Sequence, residues 1–480
     1  MNTTTDRIAH VLPGFIHDSR ATLAANFVVT AAAVLAMLFL LGGYLALPTL
    51  PVFGHDEVHY YVDFHFKLVE DGRWLNYLLH DFLRSLPLPI WSLLYVGLWW
   101  ALMYRIARGC GFDVAYAALT ASAIVMASPF LEMSLWPASV VPSLLLIGLA
   151  IAMQAHGVAY PVIYMVSGML MFGAMQSMYF LLPLLFLREF LDTAGPLRAR
   201  WWLLFRHMLW WVAGSVAGVV VVCLMLVLLA GIWFPQPPEW RNTQPVESLA
   251  SLLSNIAYVA QNLAIHLETL LRQGGVTYGF MLVCIIAALL RARTLLLQAP
   301  ALLLLVAVLL SFFAFSVPLA PVIHLRSLFA MATVVILGLA ILPGHTAFGR
   351  VLGALLLLKL VHHYSVYGQD YLDVQRTETS VLLTDLRELV PGYPTAYSAL
   401  ALEGAMDPSK PEARRFNDGS LMHPIFVSLG VWDFLDCKIP QRCDRVGETG
   451  EPIAVRPFAG GQFELAVDAA NNIGVVRYRE

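Results

Sequence analysis

Apolar runs long enough to cross a bilayer recur along the first 366 residues, separated by short polar breaks. A helix needs about 20 apolar residues to cross the hydrocarbon core. On that rule, spans are predicted near 22–47, 89–107, 113–132, 137–155, 159–176, 178–190, 207–233, 275–291, 296–317, 327–343 and 349–366. Gln176-Ser177 alone separates the middle pair, and 159–190 also reads as one long helix. The first run is too long, and its flanks are wrong, for a cleaved signal peptide. Two intervening stretches are too polar to span and too apolar to float free. In the loop 51–88, Val58, Tyr61, Phe64 and Phe66, then Trp74, Leu78, Phe82 and Leu83, suit short helices lying at a membrane surface. Over 250–272, Leu252, Ile256, Val259, Leu263, Leu267 and Leu270 recur at three- and four-residue steps, with Asn255, Asn262, His266 and Arg272 elsewhere on the turn.

The pattern changes after residue 366. A helix is predicted over Tyr371–Leu389, ending at Pro391-Gly392, followed by short mixed segments and strand-like runs at Ile453–Val455, Gln462–Val467 and Ile473–Tyr478. The expected architecture is therefore an all-α polytopic membrane body of about 11 helices over 1–366, and a small soluble α/β domain over 367–480.

Composition supports the division. The chain of 480 residues is 59% hydrophobic and 13% charged, with a mean hydropathy of +0.71. An ordinary soluble protein is about 25% charged, so too little polar surface is available to cover a molecule of this size in water. The net charge of −3 excludes a nucleic-acid binder, and five cysteines exclude a disulfide scaffold. From Tyr367 onward there are 11 basic and 17 acidic residues, a balance of −6, which leaves +3 for the body. Short cytoplasmic loops are enriched in Arg and Lys. With the N-terminus inside, Arg20, Arg105, Arg108, Arg188, Arg198, Arg200, Arg206, Arg291, Arg293 and Arg350 all fall on that side, provided 159–190 contributes an even number of crossings. The acidic tail then lies outside.

The outer loops carry the candidate chemistry. Gly54-His55-Asp56-Glu57, with His59 two residues on, sets two adjacent carboxylates directly after the first span. Charge beside a bilayer is costly unless solvated, paired or used, and such a carboxylate can act as general base on a sugar hydroxyl. His55 and His59 are candidates for acceptor contact. In Glu70-Asp71-Gly72-Arg73-Trp74, Arg73 suits a phosphate in a fork geometry that Lys does not supply, while Trp74 suits a sugar face or the headgroup level. Arg326 with His324, in the tight loop Pro318–Ser327, either holds a lipid phosphate or caps a helix, and Lys67 is a candidate of the same kind. Gln176 and Glu132 sit at helix ends, where each is placed to hydrogen-bond a sugar or simply to end a helix. Cys437 and Cys443 are six residues apart in the predicted outer domain and close a disulfide loop in an oxidising compartment. No Cys/His pattern fits a zinc site and no glycine loop fits a nucleotide, so neither a metal nor another cofactor is predicted.

Together, Asp56-Glu57 and Asp71-Gly72-Arg73-Trp74-Leu75 resemble the bacterial O-antigen serotype-converting glucosyltransferases of the glucosyltransferase II type. Met175-Gln176-Ser177 resembles that family's polar turn between middle helices, Ile323-His324-Leu325-Arg326 its late outer-loop arginine, and Tyr371–Arg387 the helix after its final span. The resemblance implies a C-type glycosyltransferase (GT-C) fold in the bacterial inner membrane, with its site facing the periplasm. An undecaprenyl-phosphate-linked hexose, glucose in the family, would be the donor and an O-antigen polysaccharide the acceptor, with membrane lipids the only other partners. The family pair is Asp-Asp, whereas this chain has Asp56-Glu57, which leaves open which carboxylate is the base and whether a divalent metal binds. Other readings are the same fold acting on another sugar, or on a lipid A or protein acceptor, and a glycolipid transporter or flippase. Transporters usually carry ionisable residues at mid-membrane and internal repeats, and this chain shows neither pattern.

Overall fold

The computed structural model describes residues 5–45, 64–85, 88–134, 137–191, 196–237, 243–277, 286, 296–343 and 346–389, with strands at 399–403, 456–457, 463–468 and 473–478. The chain divides into two compact units, one of residues 1–45 and 65–368, the other of 46–64 and 369–480.

The first unit is a helical bundle. In chain order its helices are α1 (Thr5–Leu45), the short α2 (His65–Asp71), α3 (Trp74–Leu78) and α4 (His80–Ser85), then α5 (Leu88–Gly109), α6 (Val114–Val125), α7 (Ser128–Met133), α8 (Pro137–Ala155) and α9 (Tyr160–Met171). They continue as α10 (Gln176–Tyr179), α11 (Leu187–Leu191), α12 (Leu197–Ala230), α13 (Leu249–Gln273), α14 (Ala299–Ser316), α15 (Phe329–Ile341) and α16 (Ala347–Leu389), of which the residues after Gly368 belong to the second unit. Among the described residues, six helices are long and apolar enough to cross a membrane: Thr22–Tyr44, Ile90–Gly109, Pro137–Ala155, Leu197–Ala230, Ala299–Ser316 and Ala347–Asp370. Val114–Val125, Tyr160–Met171 and Phe329–Ile341 are apolar but shorter.

Several expected spans take another form. The run 113–132 stops at Val125, because Pro129 has no N–H to offer the Val125 carbonyl four residues back. The Tyr44 hydroxyl donates to that carbonyl instead, at 2.7 Å, and α7 begins afresh. The predicted span 178–190 is not one helix. Pro183 turns the chain into a 3-10 segment, Leu182–Phe186, between α10 and α11, and most of this stretch is buried in protein. Buried protein and lipid select the same apolar composition, so the run reads as a span in sequence. The expected span 207–233 begins ten residues earlier, drawing Arg198, Arg200 and Arg206 into α12. The span 349–366 and the helix 371–389 are one continuous helix, α16. The stretch 275–291 lies almost wholly outside the described residues.

The bundle is glued by small residues and rings. Helices α9 and α12 pack backbone to backbone: a Cβ on Gly168 would overlap the Gly214 carbonyl, and one on Gly218 would meet the Gly168 carbonyl. Such small-residue contacts let helices approach without a hydrophobic driving force. Trp99 of α5 lies 4.6 Å from Phe130 and 5.0 Å from Phe329, ring centre to ring centre, and the Tyr95 hydroxyl donates to the Phe130 carbonyl at 2.6 Å.

Chain contacts sort the bundle's two ends. At one end Arg105 bonds Gln154 at 3.0 Å, Gln154 bonds the Leu185 carbonyl at 3.2 Å, and Arg350 pairs with Asp113. The stretch 176–191 leaves the far end of α9 and returns to this one, where Glu189 faces His207 at 3.7 Å and His207 stacks on Tyr160, the first residue of α9. It therefore returns to the end where α9 started.

Helix α13 matches the amphipathic segment expected over 250–272: Val259 and Leu270 of the apolar stripe are buried, and two of its polar residues also bond to the protein. Asn255 Nδ2 donates to the Gln244 and Val317 carbonyls at 2.7 and 3.0 Å, and His266 Nε2 lies 2.9 Å from the Ile323 carbonyl. Leu249, Leu253, Ile256 and Ile265 are exposed.

In the second unit the described strands form a four-stranded sheet in the order β1 (Ala399–Glu403), β4 (Ile473–Tyr478), β3 (Phe463–Asp468), β2 (Arg456–Pro457). The β1–β4 pair is parallel and the other two pairs are antiparallel, with Phe463 opposite Tyr478. Ile453–Val455 lies outside the described residues.

Candidate functional site

The segment α2–α3 builds a polar, buried part of the bundle. Helix α2 ends in a left-handed turn: Gly72 N–H donates to the Leu68 carbonyl at 2.9 Å and Arg73 N–H to the Lys67 carbonyl at 3.2 Å. That turn needs a left-handed residue, which Gly72 supplies at φ +68°. A side chain there would also strike Val222 of α12. The turn brings both ends of the short helix onto one carboxylate. Lys67 Nζ lies 3.7 Å and Arg73 Nη2 3.2 Å from Asp71 Oδ2, and Lys67 and Asp71 are both buried.

Helix α3 then plugs the break between α9 and α10. Unwinding at 172–175 frees carbonyls that need donors inside an apolar bundle. Leu75 and Asn76 N–H donate to the Gly173 carbonyl at 2.8 and 3.4 Å, and Asn76 Nδ2 donates to the Ala174 and Ser139 carbonyls at 3.3 and 3.1 Å. Trp74 lies so close to Gly173 that a Cβ there would overlap its indole. Gln176, the first residue after the break, returns a bond by donating its Nε2 to the Asp71 carbonyl at 2.6 Å. The sequence candidates Lys67, Arg73, Trp74 and Gln176 are thus gathered in one place.

Among the described residues, Arg73 Nε, Trp74 Nε1, Asn76 Oδ1 and Ser177 Oγ are buried without a hydrogen-bond partner. An unmet buried polar atom costs about 1–3 kcal/mol, so these four atoms would each gain from a polar partner.

Glu132 and Arg326 form a second group. Helix α7 packs against the 3-10 turn Leu325–Ser327, and the Tyr367 hydroxyl donates to Glu132 Oε1 at 3.0 Å. Burial pushes the Glu132 carboxyl up to about 7, against the lowering pull of the Tyr367 bond and the Arg326 charge. Ser128, one helical turn before Glu132, is bonded to Gln273 at the end of α13. His324 Nε2 is buried beside this turn. Burial also lowers the His266 imidazole, partly offset by its bond to Ile323.

His55, Asp56, Glu57 and His59, with Cys437 and Cys443, lie outside the described residues. No group of three or more His, Cys, Asp or Glu side chains that could hold a metal occurs among the described residues. Sequence reasoning passed over Asp71 as a site residue, although its place between two cations of opposite helix ends was visible in Lys67-x-x-x-Asp71-x-Arg73. Asn76 and Tyr367 gave no such signal. No family model, no curated protein and no solved structure matches the chain.

Proposed function

We propose that the chain is a membrane glycosyltransferase that moves a hexose from a polyprenyl-phosphate donor to a surface polysaccharide on the outer face of a bacterial inner membrane. The observation that carries this reading is the convergence of Lys67 and Arg73 on the single carboxylate of Asp71. Lys67 is buried and Arg73 partly buried there, and charge in such a setting is stronger than in water. A lipid phosphate is the anion a membrane supplies.

The reaction is a single inverting displacement. The acceptor oxygen attacks the anomeric carbon as the bond from that carbon to the phosphate oxygen breaks, and the lipid phosphate leaves with the electron pair. Asp56 or Glu57 takes the proton of the acceptor hydroxyl, an assignment that rests on sequence. Arg73, Lys67 and Arg326 balance the charge growing on the leaving phosphate. Trp74, Gln176 and Glu132, with His55, His59 and His324, offer surfaces and hydrogen bonds to the sugars. The lipid phosphate is its own leaving group, so no nucleotide takes part.

The test is transfer measured in membranes with Asp56→Asn and Glu57→Gln proteins, together with mass spectrometry of the host's surface glycan with and without the gene. A positioned base contributes roughly 10²–10⁴-fold, so at least one variant should lose transfer by that factor and the glycan should lose a hexose. Wild-type transfer in both folded variants, or an unchanged glycan, would overturn the reading.

A further inference from the structure

Helix α12 is longer than a membrane requires. Its 34 residues extend about 51 Å at about 1.5 Å per residue, against a hydrocarbon core about 30 Å thick. Residues 208–230 carry no charged side chain and are enough to cross that core. The first turns, 197–207, therefore project about 16 Å beyond it, at the end of the bundle that holds Arg105 and Arg350. Trp201, Trp202 and Phe205 are exposed on this projection, and tryptophan is enriched at the level of lipid headgroups.

The start of this helix is charged the wrong way. A helix N-terminus carries a partial positive charge and is stabilised by acidic side chains or by bound anions. Here Pro196 is the N-cap, no side chain caps the terminus and the first turn holds no acid, while Arg198 and Arg200 both stand in it. Arg200 is 6% exposed. Its Nη1 donates to the Leu297 carbonyl at 2.8 Å and its Nε is buried without a hydrogen-bond partner. No carboxylate pairs with it among the described residues, and a buried charge without a counter-ion is costly. The surrounding sequence is short of acids. Residues 187–207 include four arginines against Glu189 and Asp192, and 291–298 add Arg291 and Arg293 with no acid. Of the two acids, Glu189 lies 3.7 Å from His207.

We propose that Arg200 holds the phosphate of an anionic phospholipid where the start of α12 meets Leu297. One anion then serves both the unpaired guanidinium and the uncapped helix terminus. The source is a lipid because the surroundings are apolar as well as cationic. Trp201, next to Arg200, is exposed, and so are Leu296 and Leu297, beside the carbonyl that Arg200 bonds. A free phosphate gains nothing from those side chains, whereas the glycerol and upper acyl chains of a lipid cover them. A zwitterionic head would bring an ammonium group among the arginines, so the favoured head carries net negative charge. Arg200 is 22 residues along α12 from Val222, which packs on Gly72, a separation of about 33 Å. The lipid site is thus distinct from the Asp71 turn and does not rest on the transfer reading.

The test uses the full chain in detergent, with native mass spectrometry as phosphatidylglycerol or phosphatidylcholine is titrated in. Phosphatidylglycerol should bind about tenfold more tightly, a difference worth roughly 1.4 kcal/mol. Arg200→Gln should remove that preference, whereas Arg105→Gln, which takes one charge from the same end, should keep it. A phosphatidylglycerol with a photoreactive diazirine near its head should label peptides covering 197–204 and 296–298 of the wild-type protein, which decides the matter if Arg200→Gln folds poorly. Equal affinity for the two lipids, an unchanged preference in folded Arg200→Gln, an equal loss in Arg105→Gln, or label confined to other peptides overturns the proposal. Displacement of the lipid by inorganic phosphate at matched ionic strength would identify a bare anion site and overturn it too.

Discussion

Arg73 owes its position to a glycine one residue earlier, which lets the chain reverse and bring the guanidinium back over Asp71. Its two-pronged geometry matters as much as its charge. Arg73→Ala is expected to weaken donor use by about 10–100-fold, the worth of a charged hydrogen bond of roughly 1.5–3 kcal/mol. Arg73→Lys should recover only part of this. Donor titration giving wild-type values for both would remove Arg73 from the site. Glu132 predicts a pH effect of definite sign. Its carboxyl titrates near 4.5 when solvated and near 7 when folded, so the folded protein holds a proton that the unfolded chain has lost. Stability should therefore fall as pH rises between those values, by up to about 3 kcal/mol. Glu132→Gln should flatten the dependence and Tyr367→Phe should move it to higher pH, both read from thermal unfolding in detergent at pH 5 and pH 8. Arg73, Trp74 and Gln176 were legible in sequence because polar residues at the edges of apolar runs are few. Asn76 and Tyr367 were not, since a single amide or phenol beside a span looks the same whether it caps a helix or holds a carboxylate.

At the scale of elements, α13 shows what an amphipathic pattern carries. The three- and four-residue repeat fixed its limits well, Leu249–Gln273 against an expected 250–272. The same repeat says nothing of which side faces the protein. Here Val259 and Leu270 of the expected apolar stripe are buried and Asn255 and His266 tie the helix to the 317–323 loop, while Leu249, Leu253, Ile256 and Ile265 stay exposed. Asn255→Ala leaves two carbonyls without their donor and should cost about 1–3 kcal/mol. Hydrogen exchange should then quicken at the Gln244 and Val246 amides, which bond Leu319 and Pro318 at 2.6 and 3.1 Å. Unchanged exchange there would show that the helix is held by something else. The breaks after Val125 and Met171 were harder to read. One comes from a proline and a borrowed hydroxyl, the other from a glycine turn filled by a distant segment, and hydropathy averages over both.

For the molecule as a whole, the bundle has two chemically distinct ends. Arg105 and Arg350 sit at the end to which 176–191 returns, and Lys67, Arg73 and Gln176 at the other. The expected topology follows if the Arg105 end is cytoplasmic: a cysteine placed at Gly349 should react only from inside, and one at Glu448 only from outside. Labelling of either from the opposite face would invert the assignment. The division between apolar body and acidic tail is drawn from composition; the compact units divide after residue 368 and also set 46–64 apart from the bundle, which composition does not show. The pairing of β1 with β4 was not legible, since its partners are separated by some seventy residues.

The contact of Gly168 with Gly214 has a consequence in genetic terms. Glycine codons begin with two guanines, and every missense change of a single base in them introduces a side chain. At these two positions even alanine drives a carbon into backbone, at Gly168 into the Gly214 carbonyl and at Gly214 into the carbonyl of Tyr164. Overpacking of this kind costs about 1–3 kcal/mol or more. A saturation library selected for folded protein should therefore be depleted of every substitution at 168 and 214, while Gly148, with open space around it, should accept alanine freely. The two helices are bound to each other by what their codons are not free to become.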